Sequence, residues 1–561
     1  MTTETSPHWP AHLPRHLTLP ATNLYFNAEV SAARYPDKPF IVFYDTPITF
    51  AEFKDETERI AGYLQQHCGV QAGDRVLLYM QNSPQWMLAY YGILRANAVV
   101  VPVNPMNLSD ELRHYVDDAQ AKVIFAPQDL YPQVRPLMGE GGLQHAIIAT
   151  YSDYLERDTD LRIPAFVAAP RAVPDEPGCV AWSTALAADL TPAPMRAGPD
   201  DLAVMPYTSG TTGQPKGCMH THRTVMYNVL ARGVWLGSRA ESIQLGVLPF
   251  FHVTGMQNAM NGTLYLGATA IVIPRWDRDV ALQCIARYRV TGAQLISTMV
   301  VDMLSHPEVA SFDLSSIETI GGGGAAMPEA IGIKLRQLIG ADYIEGYGMS
   351  ETMAATHINP TQRPKKQCLG VPIFDVDARV IDPTTLQELP AGEVGEIIVN
   401  GPQVMQGYWR SPQATQQAFL QMDGQRFLRT GDLAYVDEDG YFFMVDRLKR
   451  MINASGFKVW PAEVEAILYH HPAIQEACVV GVQDGRRGET VKAFVVLKPD
   501  HRGTVSEDEL VHWAHDHMAA YKAPRIVTFT DRLPKSGAGK ILWRQLQDGP
   551  TANTSDHRTT P

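Results

Sequence analysis

Long hydrophobic runs are missing from this chain. The most apolar stretch, Ala98 to Val103, is interrupted by Pro102 and falls far short of the ~20 residues needed to cross a bilayer, so it reads as a buried strand. Met1 to Pro20 is polar and proline-spotted, without the basic-then-apolar order of a signal peptide. A cytoplasmic location is the expectation, with peripheral contact at a membrane surface left open. Cysteine is scarce: Cys68, Cys179, Cys218, Cys284, Cys368 and Cys478 are scattered, with no CxxC pair, and read as reduced thiols rather than a disulfide framework. Basic residues are also short, 47 against 60 acidic ones for a net charge of −13, which argues against nucleic-acid binding while leaving room for a local cationic pocket. No repeat or low-complexity tract is present.

What is there is an ordinary soluble balance, 45% apolar and 19% charged, over 561 residues, enough for more than one domain and a large core. Residues 1–20 read as a loose arm. Thr49 with Glu52 forms a capping-box pattern, and Phe53, Ile60, Ala61 and Leu64 share one helical face ending near Gly69. Strands are predicted at 75–79, 98–103 and 123–126, with helices opening at Ser83-Pro84 and Ser109. Such alternation predicts an α/β body with mainly parallel sheets. Residues 160–200 read as surface loop. Downstream of a cationic segment, Asp446 to Asn453, the pattern changes to a compact α+β unit: a helix from Pro461, strands at 475–482 and 489–497, a helix over 506–517 and a strand at 525–529. The expected division is 1–445, 446–549 and a disordered tail, 550–561.

The chemistry concentrates in Tyr207-Thr208-Ser209-Gly210-Thr211-Thr212-Gly213-Gln214-Pro215-Lys216-Gly217, after the apolar run Leu202 to Met205. Its glycines let backbone approach a ligand, its hydroxyls and N–H groups can cradle phosphate oxygens, and Lys216 adds charge. It is not a P-loop, since Pro215 and Gly217 flank the lysine where Gly and Ser/Thr are required. Leu533 to Ile541, with Gly539-Lys540, fails the same test. Further landmarks are Leu248-Pro249-Phe250-Phe251-His252-Val253-Thr254-Gly255, the run Gly321 to Gly324 before Ala325, Gly346-Tyr347-Gly348-Met349-Ser350-Glu351-Thr352, and Thr430-Gly431-Asp432. Four consecutive glycines leave space for a flat ring or an alkyl chain. Asp437 to Gly440 reads as a solvated hairpin tip. Cys218, His220 and His222 resemble zinc ligands in composition only, because alternate spacing without a fourth ligand favours structural packing.

These motifs, in this order, resemble those of the adenylate-forming superfamily, which includes acyl-CoA synthetases, peptide-synthetase adenylation domains and beetle luciferases. The resemblance runs from about residue 25 to residue 546 and points most to fatty-acid–CoA ligases. It implies an adenylate-forming body with a small mobile C-terminal domain turning at Lys449. It implies ATP, Mg²⁺ and coenzyme A as ligands, a carboxylic acid substrate, and a monomer or homodimer. Thr208, Ser209, Gly210, Thr211, Thr212, Gly213 and Lys216 would hold phosphates. Thr208 and Glu351 would hold the metal, and Thr352 the α-phosphate. Gly323, Gly324, Ala325, Gly346, Tyr347 and Gly348 would border adenine, Asp432 the ribose, and Arg447 the nucleotide. Ser455, Gly456 and Lys458 would line the pantetheine tunnel. Lys540 would be the principal catalytic residue, with His252, Glu351 and Thr208. Asn453 stands where many relatives carry lysine, and neutral His252 disfavours an amino acid substrate. Met256, Met260, Met349 and Met353 suggest a flexible aliphatic pocket. The expected reaction converts a medium- or long-chain fatty acid to acyl-AMP and then acyl-CoA. The alternatives are an aryl or branched acid, transfer to a separate carrier protein, a luciferase-like oxidase, and a non-catalytic nucleotide sensor.

Overall fold

In the computed structural model of the chain, the described residues are 8–139, 141–208, 214–324, 326–454, 457–484, 488–535 and 541–547. Ser209, Gly210, Thr211, Thr212, Gly213, Ala325, Ser455, Gly456 and Lys540 lie outside them, as do the side chains of Lys449, Asn453 and Lys458. The chain divides into two units, Met1–Arg379 with Ile398–Thr430 and Val436–Phe443, and Val380–Ile397 with Gly431–Tyr435 and Met444–Pro561.

The first unit is α/β. Its local signals act as their chemistry requires. Thr49 closes a capping box with Glu52 at the start of the helix Phe50–Gln66, and Ser83 accepts from the Trp86 N–H to start Pro84–Arg95. Among the described residues, one sheet has seven strands in the spatial order 220–221, 202–204, 99–102, 75–78, 123–127, 145–149 and 179–181, parallel except at its first edge. A second has nine, with a parallel centre running from Tyr343–Met349 through Thr319–Gly322, Gly292–Gln294, Ile243–Gly246 and Thr269–Val272 to Pro39–Phe43. Apolar residues on both faces of these central strands are buried, as parallel sheets covered by helices require. In the second unit, Ile474–Asp484 and Gly488–Leu497 pair antiparallel, Ile526–Phe529 adds in parallel, and the helices Pro461–Leu468 and Glu507–His517 bury Val464, Leu468, Leu510 and Ala514.

Three expectations need correction. Residues 8–20 of the N-terminal arm are fastened rather than loose, residues 1–7 lying outside the described ones: Trp9 is buried edge-on against Trp235 (5.2 Å) and Phe374 (5.4 Å), while the Leu17 N–H donates to Asp375 (3.0 Å). Residues 160–200 are not merely loop. Cys179–Ala181 joins the seven-stranded sheet and the helix Trp182–Ala187 buries Trp182, whose indole donates to Tyr154. The acidic turn at 437–440 is ion-paired, with Lys365 Nζ 2.5 Å from Asp437 and 2.8 Å from Asp439.

Candidate active site

Tyr207–Thr208 and Lys216–Gly217 pair antiparallel, with Thr208 opposite Lys216, so the described flanks of the candidate phosphate stretch form a stem that presents a hydroxyl beside an ammonium. The stem is clamped from outside. The Tyr207 hydroxyl donates to Asp118 (2.7 Å), the Trp409 N–H donates to Gly217 O (2.8 Å), and His114 Nε2 lies 2.7 Å from Pro215 O. A Cβ at Gly217 would fall 2.8 Å from Cγ of buried Met205, which would have to shift to admit a larger residue there.

Glu351 lies in the turn Ser350–Thr352, against which the Tyr207–Thr208 strand packs, and it is 5% exposed. Tyr408 joins the two parts of the site: its hydroxyl donates to Glu351 Oε1 (2.9 Å), and Lys216 Nζ stands 5.5 Å from its ring centroid. Burial and the neighbouring Glu351 carboxylate push the Tyr408 phenol above its ordinary range, so it remains a donor. Sequence reasoning did not reach Tyr408, which is 57 positions from Glu351 and belongs to none of the motifs. Thr352 is fully enclosed, and its hydroxyl closes the turn by donating to Ala354 O (2.8 Å) and accepting from the Met349 N–H (3.0 Å).

The supposed zinc pattern has a different role. His220 Nε2–H donates to Ser350 O (2.8 Å), tying the stem's exit to the Glu351 turn, and His222 Nδ1 accepts from the Leu24 N–H (3.1 Å). Burial pulls both imidazoles down to about 4, so both are neutral. No group of three or more potential metal-ligating side chains occurs among the described residues.

The glycine run is accounted for by strand packing more than by open space. A Cβ on Gly321, Gly322 or Gly323 would fall 2.3 Å from Ile344 O, 2.4 Å from Leu295 O or 2.5 Å from Gly346 O. Gly324 has a φ of +86°, a conformation that suits glycine. In the neighbouring strand Gly348 is tighter still, with Ala354 O 1.7 Å from where a Cβ would sit. Tyr347 is half-buried, edge-on to His357 at 5.6 Å. Met256, Met260 and Met353 are core residues, while Met349 is half-buried, so the flexible-pocket reading loses three of its four methionines.

His252 precedes a short helical turn, with Nδ1 3.4 Å from the Thr254 N–H. Buried Asn82 holds the backbone that carries it, donating to Leu248 O (2.9 Å) and accepting from the Phe250 N–H (2.7 Å). Gly255 is obligatory, because a Cβ would meet Pro249 O at 2.3 Å and Leu248 O at 2.4 Å. The chain continues into a π-helical turn, Met256–Asn261, a rare geometry that clusters at functional sites.

In the second unit Asp432 and Arg447 pair at 3.0 Å, so the residues expected at the ribose and the nucleotide face each other. Gly431, at φ +70°, donates its N–H to Glu396 (3.1 Å) and sets Asp432's direction. Lys449 lies in the 3₁₀ turn Leu448–Arg450, and Lys458 stands opposite Asn453 in the strand register. Sequence reading also missed a buried cluster around this turn. Arg450 pairs with Glu465 and lies 3.8 Å from Asp446, whose carboxylate accepts the Arg447 and Ala462 N–H groups (2.6 and 2.7 Å).

A fold of this kind with a hydroxyl–lysine stem beside a buried glutamate is the adenylate-forming class. Residues 28–409 match the family model for AMP-binding enzymes and residues 463–540 that for the AMP-binding enzyme C-terminal domain, and the chain belongs to this family. Among curated relatives it is 37% identical over 553 residues to the long-chain-fatty-acid–CoA ligase of Bacillus subtilis, covering 97% of this chain and 98% of that one. It is 34% identical over 499 residues to a feruloyl-CoA synthase of an Amycolatopsis species, covering 89% and 93%. The crystal structure of ATP-bound MatB from Rhodopseudomonas palustris superposes with a TM-score of 0.79 at 28% identity, covering 93% of this chain and 98% of that one.

Proposed function

We propose that the chain is an AMP-forming acid–thiol ligase that activates a medium- or long-chain fatty acid and transfers it to coenzyme A. The observation that carries this reading is the placement of buried Glu351, through Tyr408, beside the Thr208–Lys216 stem. The near full-length similarity to a fatty-acid–CoA ligase supports the choice of acid.

In the first half-reaction the acid's carboxylate attacks the α-phosphorus of ATP as pyrophosphate leaves. The carboxylate is already ionised near neutral pH, so no general base is needed. Two anions must meet, and the task is positioning and charge neutralisation. Glu351 and Thr208 supply the oxygen donors that suit Mg²⁺, which when bound neutralises phosphate oxygens. Lys216 adds fixed positive charge at the stem, and Tyr408 holds the Glu351 carboxylate in place. Asp432 orients the ribose and Tyr347 stacks on adenine. Lys540 bridges the acid's carboxylate and the α-phosphate. In the second half-reaction the CoA thiol attacks the acyl-adenylate and AMP leaves. The C-terminal domain turns at Lys449 between the two steps, withdrawing Lys540 and bringing Ser455, Gly456 and Lys458 to the pantetheine. His252 stands between acid and thiol. A cytoplasmic location suits six cysteines that are all free thiols, and no helix among the described residues is long and apolar enough to cross a membrane.

The test separates the half-reactions. Lys540→Ala is expected to abolish acid-dependent pyrophosphate exchange while retaining thioester formation from supplied acyl-AMP. Equal loss of both would refute the role given to Lys540.

A further inference from the structure

Arg232 lies ten residues beyond His222 on the helix His222–Leu236, about 15 Å along the axis from the end that adjoins the candidate phosphate stem. Although the residue keeps some exposure, its Nη2 atom is enclosed and has no hydrogen-bond partner. Among the described residues no ion pair involves Arg232, and burial pulls the guanidinium down to about 10. An enclosed donor without a partner is costly, and a native structure that keeps one meets it with a water, an ion or a ligand.

Arg232 lines a small, partly open space of about 10 Å³ together with buried Gln244, Gln257, Asn258 and Thr263. Gln257 and Asn258 belong to the π-helical turn that follows His252. The space adjoins a cleft of about 190 Å³ that shares Val229, Gly233, Ser238 and Leu266 with it and adds Val234 and Tyr265. The inner end is therefore cationic and polar, the outer walls aliphatic. One helical turn earlier, Asn228 donates to Thr352 O (2.9 Å) and Met353 O (2.8 Å), so Arg232 extends the helix face that borders the active-site turn.

We propose that this cleft is a receptor for the carboxylate end of an aliphatic acid, with Arg232 pairing the carboxylate and Val229, Val234, Tyr265 and Leu266 holding the chain. An arginine fork fits a carboxylate with two parallel hydrogen bonds. The carboxylate has two sources: the far end of a dicarboxylic acid whose other end is activated, or the head of a second monocarboxylic acid bound beside the substrate. The choice of an acid rests on the activity proposed above. The binding measurement is therefore made without ATP or CoA, where failure of that activity leaves it readable.

The experiment titrates octanedioate and octanoate calorimetrically into the wild-type chain, Arg232→Met and Gly233→Ala. Arg232→Met removes the unpaired charge and is expected to melt about 2 °C or more above the wild type in the absence of acid. It should lose at least tenfold in affinity for octanedioate, or lose one of two bound octanoate molecules. The first result assigns the cleft to a substrate's far carboxylate and the second to a separate acid. Gly233→Ala leaves the arginine in place, since its methyl would meet Leu266 at an ordinary 3.7 Å, and should weaken the same binding by narrowing the cleft. Unchanged affinity and stoichiometry for both acids in Arg232→Met, or acids that bind no protein of the three, would overturn the proposal.

Discussion

Buried Glu351 has one carboxylate oxygen on the Tyr408 hydroxyl, whose ring Lys216 also approaches. Removing that donor takes one hydrogen bond from a buried carboxylate. A hydrogen bond to a charged group contributes roughly 1.5–3 kcal/mol. Tyr408→Phe is therefore expected to lower kcat/KM about 10–100-fold and to raise the Mg²⁺ concentration at half-maximal pyrophosphate exchange; an unchanged Mg²⁺ profile would remove Tyr408 from the site. The buried histidines give a second test. His220 and His222, held down at about 4, bind fewer protons folded than unfolded between pH 4 and 6.5. Their contribution is complete above pH 6.5 and is lost as pH falls toward 4, at about 3 kcal/mol each. Glu56, which burial pushes up to about 7, acts in the opposite sense, so variants must be compared rather than absolute curves. His222→Asn keeps an acceptor for the Leu24 N–H and should flatten the fall in denaturant midpoint between pH 6.5 and 4. At this scale the sequence was readable where identity dictates chemistry, as for Glu351 and Lys216. It was not readable where a partner comes from far along the chain, as for Tyr408, or where a glycine answers a neighbouring strand rather than a ligand, as for Gly321 to Gly323.

Elements with local signals were legible. The capping box at Thr49 and Glu52 and the Ser83-Pro84 start are set within four residues of sequence, and both form. The turn that carries His252 is different, because its geometry depends on the side chain of Asn82, which lies 170 positions earlier, after a strand of the other large sheet. Asn82→Ala removes the donor to Leu248 O and the acceptor for the Phe250 N–H, leaving buried backbone groups unsatisfied. A cost of about 2–4 kcal/mol in urea unfolding is expected, with a loss of kcat/KM in thioester formation beyond the loss of stability; wild-type kinetics would contradict Asn82's role in placing His252. The N-terminal arm escaped notice for a related reason. Its residues are polar and proline-spotted, and a single tryptophan supplies the anchoring contacts with Trp235 and Phe374. In the second unit, Glu465 meets Arg450 in a buried cluster beside the 3₁₀ turn of Lys449. Glu465→Ala removes the closer of the guanidinium's two acidic partners, leaving Asp446 at 3.8 Å, and is expected to cost about 3 kcal/mol, measured by denaturant unfolding followed with a probe in that unit.

Across the whole molecule, the alternation of strand and helix followed by a compact α+β segment announced the fold class, and the matched family models cover both parts. The acid was far less legible, because it depends on the shape of a space between elements. The methionines that suggested an aliphatic pocket are mostly core, and the similarity to a fatty-acid–CoA ligase now supports that assignment instead. One measurement tests the central claim most directly: AMP and thioester formation from ATP and Mg²⁺ over straight-chain acids of graded length, with aryl acids alongside, each with and without CoA. CoA-dependent AMP release and acyl-CoA formation are expected, greatest on a medium- or long-chain aliphatic acid. Pyrophosphate release that CoA does not accelerate, with acyl-adenylate left bound, would contradict the claim.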